Sequence, residues 1–154
     1  MPNITPFLWF DTQAEDAAKF YVSIFPNSKI TRIARRMEAA PANASDVLIV
    51  DFELSGKRYL ALNGGPNNKF TEAVSLMVHC KTQDELDRYW SALTADGGEE
   101  GICGWLKDKY GLSWQIVPEV VTELLAGRDR AKANRVMAAV MNMTKLDLAQ
   151  LSRA

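Results

Sequence analysis

Along this chain the spacing of apolar residues switches from strand-like to helix-like and back, and it does so twice in the same order. Ile4 to Phe10 is a short apolar run suited to a buried strand. Thr12 then offers a helix N-cap, with Glu15 placed to close a capping box. From Gln13 to Ile24, the residues Ala14, Ala17, Ala18, Phe20, Tyr21 and Ile24 recur at helical spacing. Phe25-Pro26-Asn27-Ser28 ends that helix. Lys29 to Met37 reads as a strand, and Glu38 to Ser45 as a loose loop rich in Ala, Pro and Asn. Asp46 to Leu54 and Lys57 to Asn63 form a predicted hairpin turning at Ser55-Gly56. The first module is therefore βαβββ.

Seventy residues on, the order returns. Thr12-Gln13-Ala14-Glu15 reappears as Thr82-Gln83-Asp84-Glu85, Phe20 falls on Trp90, and Pro26-Asn27-Ser28 falls on Asp96-Gly97-Gly98. The pattern predicts a strand from Ala73 to Cys80 and a helix capped by Thr82 and Glu85 that runs to about Ala95. Strands at Glu99-Glu100, Ile102 to Lys107 and Leu112 to Val117 complete the second module. A shared period of this length implies two modules related by pseudo-symmetry. Paired modules are expected to enclose a cleft for a small ligand.

The expected fold class is thus α+β, with tandem βαβββ modules over residues 1–118 (module one about 1–65, module two about 70–118). Helices fill 119–154. Glu119 to Ala126 is predicted to stop at Gly127 as a C′ residue, and Asp129 to cap a helix reaching about Asn142. Thr144 with Asp147 is expected to cap a last short one. Val136, Met137, Val140, Met141 and Met143 give this tail a broad apolar face, suited equally to packing on the parent domain and to a dimer contact.

Composition narrows the function classes. The 154 residues are 47% hydrophobic and 24% charged, as in ordinary globular domains, with a formal net charge of -1. That charge argues against a nucleic-acid or membrane partner, and the basic cluster Arg32, Arg35, Arg36 reads as a solvated strand face. Cys80 and Cys103 form no CxxC spacing and no disulfide framework. With no signal peptide or long apolar span in view, a cytoplasmic location is expected.

Several segments carry a resemblance: Ile4 to Phe10, Ala61-Leu62-Asn63-Gly64-Gly65-Pro66, Gly97-Gly98-Glu99-Glu100, and Cys103 to Asp108 with Gly111 and Ser113 to Pro118. Together with the tandem βαβββ order, they resemble the vicinal oxygen chelate superfamily of glyoxalase I, bleomycin-resistance proteins and extradiol dioxygenases. Within it they are most similar to the PhnB-like branch, often labelled demethylubiquinone methyltransferase-like. The resemblance spans essentially the whole chain, tail included. It implies a glyoxalase/bleomycin-resistance-type open barrel made of two half-barrels, and a homodimer.

It also implies where metal ligands would stand, namely on the first and last strands of each module. Those positions fall on Thr5, Ser75 and Gln115, with the module-one equivalent near Ala61, uncertain by about one residue. None offers imidazole, thiolate or carboxylate, so they are poor ligands for Zn, Ni or Fe. His79, the only histidine, cannot rebuild such a site alone. The reading is therefore no metal site and no cofactor, a divalent metal included.

The cavity is expected to outlast the metal. Strand alternation groups Thr5, Phe7 and Trp9 with Ser75, Met77 and His79 on one side, and Tyr59, Ala61, Asn63, Ser113, Gln115 and Val117 are expected to join them. The candidate ligand pocket is Phe7, Trp9, Tyr59, Asn63, Ser75, Met77, His79, Trp105 and Gln115. Trp9 and Trp105 would supply aromatic contact, Asn63 and Gln115 hydrogen bonds; the plain alternative is that Trp9 and Met77 only fill the core. Cys103 is a weak candidate nucleophile, since a reactive thiol needs a base or cation such as Lys107 nearby. Glu99 and Glu100 point to opposite faces and cannot share acid–base work.

Methyl transfer finds no glycine-rich turn after a buried parallel strand. The expected function is small-molecule binding without the superfamily metal. The alternative is a metal-dependent lyase, isomerase or dioxygenase of glyoxalase type, with an atypical site that includes His79. A third possibility is a structural dimer whose cavity is closed by side chains.

Overall fold

A computed structural model describes residues 1–154, which divide into two compact units, Met1–Lys69 and Phe70–Ala154. In the first unit the order is β1 (Phe7–Phe10), α1 (Ala14–Ile24), β2 (Lys29–Arg35), β3 (Val47–Leu54) and β4 (Lys57–Asn63). The sheet runs β1-β4-β3-β2, with β1 parallel to β4 and the other pairs antiparallel. Alternation sends Leu8, Phe10, Val50, Phe52 and Ala61 to the side covered by α1, where Ala14, Ala17, Ala18 and Tyr21 are fully buried. Tyr21, Phe52 and Tyr59 stack there in series, at centroid separations of 6.4 and 5.6 Å. Each large apolar side chain so buried contributes about 1.5–3 kcal/mol.

The start of α1 differs from expectation. Thr12 makes no cap; the N-cap position is Gln13, without a side-chain cap bond. Instead the Ala14 amide donates to Asn63 Oδ1 across the unit at 2.8 Å. Because that bond comes from the end of β4, the cap is tertiary and invisible to local pattern. Strand β2 ends at Arg35, two residues earlier than expected. Arg36 then turns into the loop, donating to the carbonyls of Ser45, Pro41 and Asn63.

The second unit runs β5 (Ser75–Cys80), α2 (Gln83–Thr94), β6 (Glu99–Glu100), β7 (Trp105–Lys107) and β8 (Ser113–Pro118). The tail follows as α3 (Glu119–Ala126), α4 (Arg130–Met141) and α5 (Leu148–Arg153). Its sheet order, β5-β8-β7-β6, repeats the first, again with the outer pair β5 and β8 parallel. Here the expected capping box forms: the Glu85 amide donates to Thr82 Oγ1 at 3.2 Å, and Glu85 Oε2 accepts from the Lys81 amide at 3.0 Å. Leu86, Tyr89, Trp90 and Leu93 of α2 bury against Leu106, Trp114 and Ile116. Buried Asp108 holds the turn before β8. Its Oδ1 accepts from the Tyr110 and Leu112 amides, and its Oδ2 from Trp114 Nε1.

Three further expectations are corrected. Ile102 to Gly104 is a turn rather than strand, because Cys103 and Gly104 both take left-handed backbone, at φ 60 and 80. Their amides donate to the carbonyls of Met143 and Thr144, which ties the segment linking α4 and α5 to the sheet. The cap of α5 is Asp147 itself, accepting from the Gln150 amide, with no part played by Thr144. Gly127 closes α3 with φ -67, so left-handed freedom is not what ends that helix. No helix is long and apolar enough to cross a membrane.

Candidate ligand-binding site

The second sheet covers one face with α2 and turns the other toward the helical tail. Register sorts the tail-facing residues into rows across the strands. Met77 pairs with Gln115 and Gln115 with Trp105, and one row along, Ser75 pairs with Ser113 and Ser113 with Lys107. Gln115 Nε2 donates to Ser75 Oγ at 2.9 Å and so bridges the two rows. This leaves the amide oxygen of Gln115 as an acceptor.

Above the first row lies a chamber of about 630 Å³. Its floor is Met77, Trp105, Gln115 and Val117, and α3 and α4 roof it with residues such as Val121, Leu125, Met137 and Val140. A chamber of that size is in the range of small-molecule sites, and its wall is apolar apart from one amide, one thiol and one hydroxyl. Gly104 allows the close approach of the tail beneath it. A Cβ there would stand 3.0 Å from Leu146 and 3.1 Å from the Ile116 carbonyl.

Of the residues expected at the cavity, Met77, Trp105, Gln115 and Val117 meet at this chamber, with Cys103. Ser75 stands behind it as the partner of Gln115. His79 is exposed, one row beyond Met77, and does not line the chamber. The roof was not anticipated as part of a site, although the apolar face of Val136, Met137, Val140 and Met141 was its signal.

The remaining candidates lie in the first unit. Phe7, half exposed, and Trp9 share one face of β1. Tyr59, Ala61 and Asn63 lie on the opposite face, which corrects their expected grouping with Trp9. The parallel pairing Leu8 to Ala61 and Phe10 to Asn63 fixes this, because paired residues share a side of the sheet. Asn63 is consumed by structure: its Oδ1 caps α1, and its Nδ2 donates to the Val47 carbonyl and Ser45 Oγ. Trp9 is also committed. Its Nε1 donates to the Gly65 carbonyl at 2.9 Å, and its ring lies where a Cβ on Gly64 would come within 2.5 Å.

The same face of the first unit carries a charge cluster that the sequence hid. Asp51, 7% exposed, receives Arg58 Nε and Nη2, the latter at 2.7 Å, and Arg32 Nη2 at 3.4 Å. The Arg58 hydrogen bonds hold the Asp51 carboxyl below its ordinary value, against the opposing effect of burial. Arg32, expected on a solvated strand face, is 71% exposed and reaches Asp51 from there.

The two thiols differ. Burial pushes Cys80 up to about 12, so it stays a neutral, inert hydrophobe. Cys103 meets only the Met141 thioether, Sγ to Sδ 3.9 Å, and that contact supplies no base. No group of three His, Cys, Asp or Glu side chains is placed to hold a metal ion. At the expected ligand positions, Ser75 and Gln115 hydrogen-bond each other, Thr5 precedes β1, and Ala61 is buried under α1.

Two four-stranded sheets of the same order, each with a helix after its first strand, define a glyoxalase/bleomycin-resistance type of fold. The fosfomycin resistance protein FosX from Listeria monocytogenes shares it at 14% identity and TM-score 0.54, over 80% of this chain and 97% of that one. The chain belongs to the family described as 3-demethylubiquinone-9 3-methyltransferase, whose model matches residues 2–117. It is similar to the PhnB protein of Bacillus cereus, 35% identical with TM-score 0.69, over 76% of this chain and 99% of that one. It also resembles the protein PA1353 of Pseudomonas aeruginosa, with 17% identity and TM-score 0.65, over 77% and 98% of the two chains. No curated protein matches.

Proposed function

We propose that the chain binds a small amphiphilic molecule in the chamber between the second sheet and α3–α4, without a metal ion. The observation that carries this is the chamber itself: about 630 Å³ of mostly apolar space with a preset amide acceptor at Gln115. Burying an apolar body there gains roughly 25 cal/mol per Å² removed from water, and the amide fixes its orientation. Trp105 offers a face for stacking.

Neither group implied by the relatives fits these residues. A divalent ion would find serine, glutamine and alanine where it needs imidazole or carboxylate. The methyl donor of a transferase would need a phosphate- or ribose-holding turn of the glycine-rich kind. Here β1 leads to α1 through Asp11-Thr12-Gln13 and β5 leads to α2 through Lys81-Thr82, with no glycine in either. A titration with S-adenosylmethionine is expected to give no saturable heat. Stoichiometric metal in protein purified without an affinity tag would overturn the metal-free part of the reading.

The chamber is tested by titrating n-octanol against tryptophan fluorescence and heat. Saturable binding is expected in the native chain and a loss of at least about tenfold in Ala126→Trp, which fills the space from its rim. Equal binding by the two, at matched melting temperatures, would sink the proposal. We also infer a homodimer, supported by exposed Phe7, Ile102 and Met141. Sedimentation as a monomer at micromolar concentration would count against the dimer.

A further inference from the structure

One buried side-chain polar atom in the whole chain lacks a hydrogen-bond partner: Ser113 Oγ. Ser113 is 1% exposed, and unpaired buried hydroxyls are rare because each forfeits its hydration without a replacement bond. It lines a second, smaller pocket of about 140 Å³, together with Glu72, Glu99, Glu100, Trp105 and Lys107. Trp105 lines this pocket and the apolar chamber alike.

Register explains the adjacency. The polar row crosses the sheet as Ser75, Ser113, Lys107 and Glu99, because Glu99 pairs with Lys107 and Lys107 with Ser113. The apolar row Met77, Gln115, Trp105 runs beside it, two residues along each strand and so roughly 7 Å away. A molecule only a few bonds long can touch both.

We infer that this pocket receives the protonated amine head of a ligand whose apolar body occupies the chamber. The inference rests on the chamber reading above and specifies its ligand class. Three carboxylates surround the pocket against one ammonium, and that ammonium, Lys107, is already paired with Glu72. Glu100 accepts from Trp90 Nε1, and Glu99, the carboxylate on the polar row, stands beside its cross-strand partner Lys107 and helps hold that ammonium charged. An anion would meet net negative charge here. An ammonium would donate one N–H to Ser113 Oγ and one to Glu99, and lie against the Trp105 ring, which attracts cations through its π face. A metal ion is a poorer candidate, since the carboxylates are not gathered into a group able to coordinate one.

The test compares n-octylammonium, n-octanol and octanoate by calorimetry at pH 7, on the native chain and on Ser113→Ala and Glu99→Gln. The amine is expected to bind about tenfold tighter than the alcohol, and octanoate weakest. Each substitution should cut amine affinity several-fold and leave the alcohol unchanged. Ser113→Ala should also melt at the same temperature or higher, because it deletes an unpaired group. Equal binding of amine and alcohol would overturn the inference while the chamber stands. If none of the three probes binds, the chamber reading falls and takes this one with it. A lower melting temperature in Ser113→Ala would show the hydroxyl already satisfied, by trapped water, and would also overturn it.

Discussion

The two units are built from one strand order, yet they are stabilised by opposite means. In the second, the helix after the first strand is capped locally by Thr82 and Glu85. In the first, the equivalent Thr12 and Glu15 are present but unused, and Asn63 reaches from β4 to do the capping. The uncovered faces differ as well. In the first unit Trp9 is locked to Gly64 and Gly65, and Asp51 to two arginines, so that face is satisfied from within. In the second, the face is roofed by helices that leave a chamber and one orphan hydroxyl. The same strand order thus carries one face whose polar groups pair with each other and one that keeps an unpaired hydroxyl.

The largest expected effect tests the tertiary cap. Asn63→Leu should cost about 3 kcal/mol in chemical denaturation, because it strands the Ala14 amide and the Val47 carbonyl in the interior. A cost under about 1 kcal/mol would mean that Thr12 can take over, and the contrast between the units would collapse.

An intermediate effect is expected at the charge cluster. Asp51→Asn should cost about 2 kcal/mol near neutral pH, the scale of hydrogen bonds to a charged group. Since folding lowers the Asp51 pKa, its contribution is present above the ordinary value of 3.8 and fades as pH falls below it. The gap between native and variant stability should therefore narrow in acid. A gap independent of pH would show that packing, rather than the ion pair, holds this face.

The smallest effect belongs to the local cap. Thr82→Ala should cost about 1 kcal/mol, the usual scale for an N-cap serine or threonine type. If it proved costlier than Asn63→Leu, the ranking of the two capping modes would be reversed.

Much of the fold was legible. The apolar periods and turn residues located all eight strands and five α-helices, because burial on one face imposes a period on the sequence that the chain cannot hide. The failures cluster where long-range bonds decide. Nothing near Thr12 tells that Asn63 will cap α1. One residue of register in β4 moved Tyr59, Ala61 and Asn63 to the far side of the sheet from Trp9. The site was half legible: Met77 and Gln115 follow from alternation, and Trp105 from the segment that carries the family resemblance. Val121, Leu125 and the rest of the roof depend on how helices fold back, which periodicity does not encode. Ser113 was placed on the correct face, but its lack of a partner is a property of the packed structure alone.

The roof and the floor stand differently toward the family. The family model matches residues 2–117, so the tail, expected to share in the resemblance, lies outside the match, and the helices that line the chamber begin at Glu119. The floor is therefore made of matched strands and the roof of residues beyond them. A substitution in α3 or α4 can reshape the chamber without disturbing any strand register.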